Sequence, residues 1–246
     1  MVTIVPGGRT VTEVGRVVVI TGANRGLGLE LARRCADRGD TVVLGSRDPA
    51  AGRAAAERLR DTGPPGAILP VSLDVTDPVG LAAGAAQVRR ALGRVDVLIN
   101  NAGVHYDPGQ TAVRADLGVV REALETNVLG PWQTTVAFLP LLLASEHPRV
   151  VMVSSEVGSL ASMGGGTPAY HVSKAALNAL TRTLAGDLAA DRILVNAVSP
   201  GWTATAMGGP GGRPVGQGAA SILWGTDLPD DGPTGTFTRD GQPLPW

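Results

Sequence analysis

In "PAYHVSKAALNAL" (Pro168–Leu180), Tyr170 and Lys174 stand four residues apart. That spacing is one helical turn, so both side chains project from the same face. A phenol beside an ammonium group is an acid whose proton can be moved. The cation favours the phenolate and draws the pKa down from about 10, toward the range where proton transfer is efficient. The same segment also reads as ordinary structure, because Ala175, Leu177 and Leu180 follow the period of a core helix. The spacing alone leaves both readings open.

A second stretch, "VVVITGANRGLGLELA", ends a β-branched run with Thr21-Gly22 and opens a helical run with Gly26 and Gly28. Glycines there permit a tight turn and close backbone approach to a pyrophosphate, and the helix N-terminus supplies free N–H groups. Strand before and helix after, in the first unit of the chain, favour this over a glycine-rich turn without a ligand. The next strand ends "VVLGSRD", with Ser46 and Arg47 where a chain selecting NAD carries Asp or Glu. Arg47, Arg25 in the glycine loop and the Ser46 hydroxyl suit a 2′-phosphate, since guanidinium forks match phosphate oxygens. The expected cofactor is therefore NADPH/NADP rather than NADH. Asp48 is expected to cap the following helix.

Short aliphatic runs must position these groups. They are "RVVVIT" (16–21), "TVVLGS" (41–46), "ILPVSLD" (68–74), "VDVLINN" (95–101), "RVVMVSS" (149–155), "ILVNAVS" (193–199) and "GTFTR" (235–239). Nearly all their residues are apolar, the pattern of strands covered on both faces. Helical segments begin between them near residues 26, 49, 77, 116, 168 and 216, with Asp77-Pro78 reading as a cap followed by a first-turn proline. The alternation predicts an α/β fold: a doubly wound, Rossmann-type parallel sheet of about seven strands with helices on both faces. Residues 16–246 read as one domain after an N-terminal extension, 1–15, that matches no motif.

In this order the motifs resemble the short-chain dehydrogenase/reductase family. Thr21–Gly28, with Gly22, Asn24, Arg25, Gly26, Leu27 and Gly28, is similar to its cofactor loop. Asp74 and Val75 resemble its adenine-contacting pair, and "NNAG" (Asn100–Gly103, with Asn101, Ala102 and Gly103) its turn beside the cofactor. Asn127, Ser155, Tyr170 and Lys174 resemble its catalytic set. "PGWTAT", with Pro200, Gly201, Thr203 and Thr205, resembles the loop that touches the nicotinamide. The glycine loop, Arg47 and the tail "FTRDGQPLPW" look most like the NADPH-dependent carbonyl reductase group. Ser155 and Tyr170 are about two residues further apart than in the common family pattern, and the long insertion of some carbonyl reductases is absent there.

The resemblance implies reduction of a ketone or aldehyde, with the hydride from the cofactor and the proton from Tyr170. Lys174 would lower the Tyr170 pKa and hold the nicotinamide ribose, Ser155 would hold the substrate oxygen, and Asn127 would hold a water linking Lys174 to solvent. Ser154, beside Ser155, is expected to bond its own backbone. The alternatives are oxidation or epimerisation of a hydroxylated metabolite by the same residues, or an NADP-binding protein without catalysis. The substrate should lie against the segments after strands four, five and six, with His105, Tyr106, Met163, Trp202 and Met207 as candidate lining under a short lid.

Composition narrows the partners. The net charge is -1, with 21 basic and 22 acidic residues. That gives neither a counterion-releasing nucleic-acid surface nor a basic membrane face. The longest apolar run, "VAFLPLLLA", is too short to span a bilayer. Cys35 is the single cysteine, expected to be packed and inert, and no Cys/His cluster has metal-ligand spacing. The sequence thus predicts a soluble, cytoplasmic enzyme acting on a small molecule. The resemblance adds a homo-oligomer, dimer or tetramer, paired through helices at about 116–144 and 168–189.

Overall fold

Eight strands form one sheet in the order β3-β2-β1-β4-β5-β6-β7-β8 in the computed structural model, which describes residues 15–105 and 107–246. The first seven run parallel and the last is antiparallel to its neighbour. The strands are β1 (Val17–Ile20), β2 (Thr41–Ser46), β3 (Ile68–Ser72), β4 (Val97–Asn100), β5 (Arg149–Val153), β6 (Leu194–Val198), β7 (Phe237–Arg239) and β8 (Gln242–Pro243). The helices are α1 (Gly26–Asp37), α2 (Pro49–Arg60), α3 (Pro78–Leu92), α4 (Leu117–Leu124), α5 (Gly130–Leu142), α6 (Pro168–Asp187) and α7 (Val215–Thr226).

The apolar strand pattern has a direct cause. Val17 and Val19 of β1 join one core, with side chains of α3, α5 and α6; Val18 and Ile20 join the other, with side chains of α1, α2 and α7. Successive side chains of a strand point to opposite faces, so a strand between two helix layers needs apolar residues at every position. Strand order reverses between β1 and β4, which opens the crevice where ligands of such sheets bind.

The six expected helix starts are met by α1, α2, α3, α4, α6 and α7, and the same residue type caps three of them. Asp48 caps α2, accepting from the N–H groups of Ala50 and Ala51; Asp77 caps α3 and Asp116 caps α4. The expected long helix from residue 116 is interrupted: a π-helical turn, Glu125–Leu129, joins α4 to α5. Cys35 is buried, and burial pushes its thiol up to about 12, so it stays protonated and unreactive. No described helix is long and apolar enough to cross a membrane. The N-terminal extension, apart from Gly15, lies outside the described residues.

Candidate active site

At the end of β1 the chain turns through Gly22 and Gly26, with φ of 64° and 55°, a backbone region that only glycine enters without strain. A side chain on Gly28 would start 2.4 Å from the Gly22 carbonyl oxygen and 2.6 Å from Asn101 Nδ2. Unlike α2, α3 and α4, helix α1 has no side-chain cap, because Arg25 occupies its cap position with extended backbone. Its first N–H groups are left open toward the crevice, with the positive end of the helix dipole. That concavity fits the pyrophosphate of a dinucleotide. Asn24 and Leu27 lie on the same turn, both partly exposed.

The NNAG turn is fastened to this loop. Asn101 Nδ2 donates to the carbonyls of Thr21 (2.8 Å) and Gly22 (3.3 Å), and the Ala102 N–H donates to Thr21 Oγ1 (3.0 Å). Gly103 passes so close to the far wall that a Cβ there would lie 3.2 Å from Asn127 Oδ1 and 3.7 Å from Lys174 Nζ. Loop, turn and catalytic-type residues therefore share one wall.

Around the 2′-phosphate position, the Ser46 hydroxyl turns inward and donates to the Asp48 carbonyl at 2.8 Å. This differs from the expectation of three donors there. Arg25 and Arg47 are exposed, and neither makes an ion pair among the described residues. Asp48, as the α2 cap, already accepts two N–H groups. Asp74 Oδ1 accepts from the N–H and hydroxyl of Thr76, and the Val75 carbonyl is held by Gln133 Nε2.

Tyr170 lies in the crevice, partly exposed, with Ser155 near enough for its hydroxyl to favour the phenolate. Ser154 instead donates to Asn178 Oδ1 at 2.6 Å and is buried, not the backbone-bonding turn residue expected. Lys174 Nζ donates to the Val153 carbonyl at 2.8 Å and lies 5.6 Å from the centre of the Tyr170 ring. Asn127 is held by three hydrogen bonds: Oδ1 accepts the Val104 N–H (2.8 Å), and Nδ2 donates to the Val104 carbonyl (2.9 Å) and Ser173 Oγ (2.9 Å). It ties the turn after β4 to the first turns of α6.

The electrostatics differ from the expectation of a lowered phenol pKa. Burial raises the Tyr170 pKa above its ordinary value, and the nearby Ser155 hydroxyl opposes this only in part. Burial also lowers Lys174, to about 8. Desolvation is the largest cause of both shifts.

The loop after β6 closes the crevice. Thr203 is buried, with its hydroxyl on the carbonyls of Pro200 (3.1 Å) and Gly201 (3.0 Å), whereas Thr205 faces the glycine loop, 3.9 Å from where a Gly26 Cβ would stand. Trp202 and Met207 are exposed, Met163 is partly exposed, and His105 lies against Tyr170 with ring centroids 4.6 Å apart. Tyr106 lies outside the described residues. The lid is laced by Trp202 Nε1 to the Gly208 carbonyl (2.7 Å) and anchored by Arg213 to Asp240 (2.8 Å).

Sequence reasoning missed Asp107. It is 1% exposed and accepts the Ala169 N–H at 2.7 Å, capping the catalytic-type helix from a distant loop. In the sequence it reads only as a turn residue before Pro108, because its partner is 62 positions away.

A doubly wound parallel sheet, with a glycine-built, uncapped helix start beside its switch point, defines a Rossmann-type dinucleotide fold. Within that class the chain belongs to the short-chain dehydrogenase/reductase family: the family model described as short chain dehydrogenase matches residues 16–213. It is accordingly an oxidoreductase of the kind that works with a nicotinamide cofactor. It is 34% identical to "Short-chain dehydrogenase/reductase 1" of Saponaria officinalis, over 94% of this chain and 96% of the relative. It is 30% identical to salutaridine reductase of Papaver bracteatum, over 93% and 95%. Among solved structures it is similar to NADPH-bound carbonyl reductase from chicken fatty liver: TM-score 0.85, 30% identity, 95% of this chain and 100% of that one.

Proposed function

We propose that the protein reduces a ketone or aldehyde to an alcohol with NADPH, Tyr170 giving its proton to the carbonyl oxygen. The observation that carries this reading is the Tyr170 phenol, beside Ser155 and with Lys174 Nζ 5.6 Å from its ring centre, in the crevice between the glycine loop and the NNAG turn. When bound, NADPH supplies the hydride. A phenol whose pKa is raised by burial is protonated at neutral pH, the form that reduction needs. Ser155 can hold the substrate oxygen beside that phenol. Lys174, with its pKa at about 8, is mostly protonated at neutral pH. It offers a positive charge to the phenolate left after proton transfer and a donor to the ribose hydroxyls. Asn127 acts through backbone, fixing Val104 and the turn that faces Lys174.

The preference for NADPH rests on Arg25 and Arg47, two exposed guanidiniums without ion-pair partners among the described residues, where β2 ends and α1 begins. The NADPH carried by the chicken carbonyl reductase supports it. The same reading extends to self-association. Leu117, Trp132, Val136 and Val172 leave large apolar side chains exposed on α4, α5 and α6, a pattern that favours an interface. A particle larger than one chain is expected in light scattering.

The test is a panel of ketones, aldehydes and quinones, following NADPH consumption against an NADH control. Tyr170→Phe should bind NADPH as the wild type does and lose turnover by at least about 100-fold. Substantial remaining activity would refute the proton-donor assignment.

A further inference from the structure

Asp107 and His105 stand on the loop after β4, and the mechanism above uses neither. Asp107 Oδ2 accepts the Ala169 N–H in the first turn of α6. The Thr167 N–H donates to the Gln110 carbonyl at 3.1 Å, so loop and helix are joined twice. Asp107 Oδ1 is buried without a hydrogen-bond partner, and so is His105 Nε2, 3.9 Å away. Two buried, unpartnered polar atoms facing each other are a rare arrangement, because each loses its bond to water. A closure of about 1 Å turns the approach into a hydrogen bond. The His105 ring lies on the Tyr170 ring, 4.6 Å between centroids at 34°. No described residue bonds its other nitrogen, Nδ1, and 23% of the side chain remains exposed.

We propose that Asp107 fixes His105 in the Nε2–H tautomer, and that Nδ1 then accepts a hydrogen bond from the substrate, selecting carbonyl compounds with a hydroxyl or N–H beside the reacting carbonyl. The substrate class rests on the reductase reading of the cleft; the tautomer does not. A carboxylate only accepts, so the nitrogen facing it must carry the proton, and the far nitrogen of a neutral imidazole becomes an acceptor. Because the ring lies tilted against Tyr170, with centroids 4.6 Å apart, that acceptor is placed beside a carbonyl held by the Tyr170 hydroxyl. His105 faces Asp107 on its own loop and Tyr170 and His171 on α6. Burial and His171 lower its pKa against the opposing Asp107, keeping it neutral near pH 7. Asp107 acts as a positioning residue and His105 as a specificity contact.

The experiment pairs substrates. NADPH consumption is followed with 2-hydroxyacetophenone, acetophenone and 2-methoxyacetophenone. The wild type should favour the hydroxyketone over the plain ketone by about 10–100-fold in kcat/KM, as sites built to bond a substrate hydroxyl do. His105→Phe should bring that ratio to about one, whatever happens to the absolute rates. Asp107→Asn keeps an amide oxygen for the Ala169 N–H but turns its NH2 toward Nε2. That drives the Nδ1–H tautomer and should move the preference to the methoxy compound. In the wild type the hydroxyl preference should fade as pH falls through the His105 titration, because a protonated ring donates from both nitrogens.

Imidazole ¹⁵N NMR above neutral pH reads the tautomer without any substrate. Nε2–H in the wild type and Nδ1–H in Asp107→Asn are expected. An Nδ1–H or mixed signal in the wild type overturns the role of Asp107. A wild-type ratio near one, or a preference surviving His105→Phe, overturns the role of His105. A wild type that turns over none of the three ketones overturns the reductase reading and the substrate class with it, while the tautomer is decided by NMR alone.

Discussion

Replacing Lys174 by Met should change how stability depends on pH, and the sign follows from burial. The ammonium titrates at 10.5 when exposed and at about 8 in the folded chain. Below about 8 both states hold the proton, and the native state carries the full cost of a buried cation. Between about 8 and 10.5 the unfolded chain still binds the proton and the native chain has released it, so stability rises with pH. At about 1.4 kcal/mol per unit, the rise is roughly 1–2 kcal/mol by about pH 9 and approaches about 3 kcal/mol beyond pH 10. Cys35 runs the other way. Its thiol titrates at 9.0 when exposed and about 12 when folded, so stability falls through that interval. The two slopes offset each other in the wild type only between 9.0 and 10.5, where its profile should flatten. Lys174→Met removes the rising limb and keeps the falling one. Urea unfolding, followed by tryptophan fluorescence at about pH 7 and about pH 9, should show the wild-type advantage over Lys174→Met growing by roughly 1–2 kcal/mol. Parallel profiles for the two proteins would refute the burial argument, since only the lysine differs between them.

Two other substitutions probe the cofactor crevice. Arg47→Ala, alone and with Arg25→Ala, should weaken NADPH binding by about 10-fold or more while leaving NADH binding within about twofold, measured by fluorescence titration; equal losses for both cofactors would remove the 2′-phosphate assignment. Gly28→Ala places a Cβ 2.4 Å from the Gly22 carbonyl oxygen and should abolish NADPH binding, with a lowered Tm in the same preparation.

Most of the architecture is legible in the sequence because β1, β2, β4, β5 and β6 serve two cores at once and so carry apolar residues at nearly every position. The aspartate caps of α2, α3 and α4 are legible for a local reason, since a cap bonds N–H groups only two or three residues away. What the sequence hides is set by distant partners. "LETNVLG" keeps a helical composition through the π turn, and only Val104 and Ser173 reveal why Asn127 needs it. Ser154 and Ser155 are equivalent in sequence; Asn178 and Tyr170 tell them apart. The Ser46 hydroxyl is claimed by a carbonyl two residues on. The strand Gln242–Pro243 is too short to leave a pattern. The raised Tyr170 pKa depends on burial depth, which residue spacing does not encode.

The π turn at Glu125–Leu129 has a consequence for how this chain can vary. One extra residue in a helical turn rotates everything after it by about 100°. Helix α4, before the turn, packs on α6, and α5, after it, packs on α3 with Phe138, Leu141 and Leu142 in the core. The two halves are thus keyed to different neighbours, out of phase by that one residue. A single deletion here would restore a uniform helix and mis-aim either Asn127 or Phe138. The segment behaves as two separately indexed cogs, and changes of length belong in the loops on either side of it.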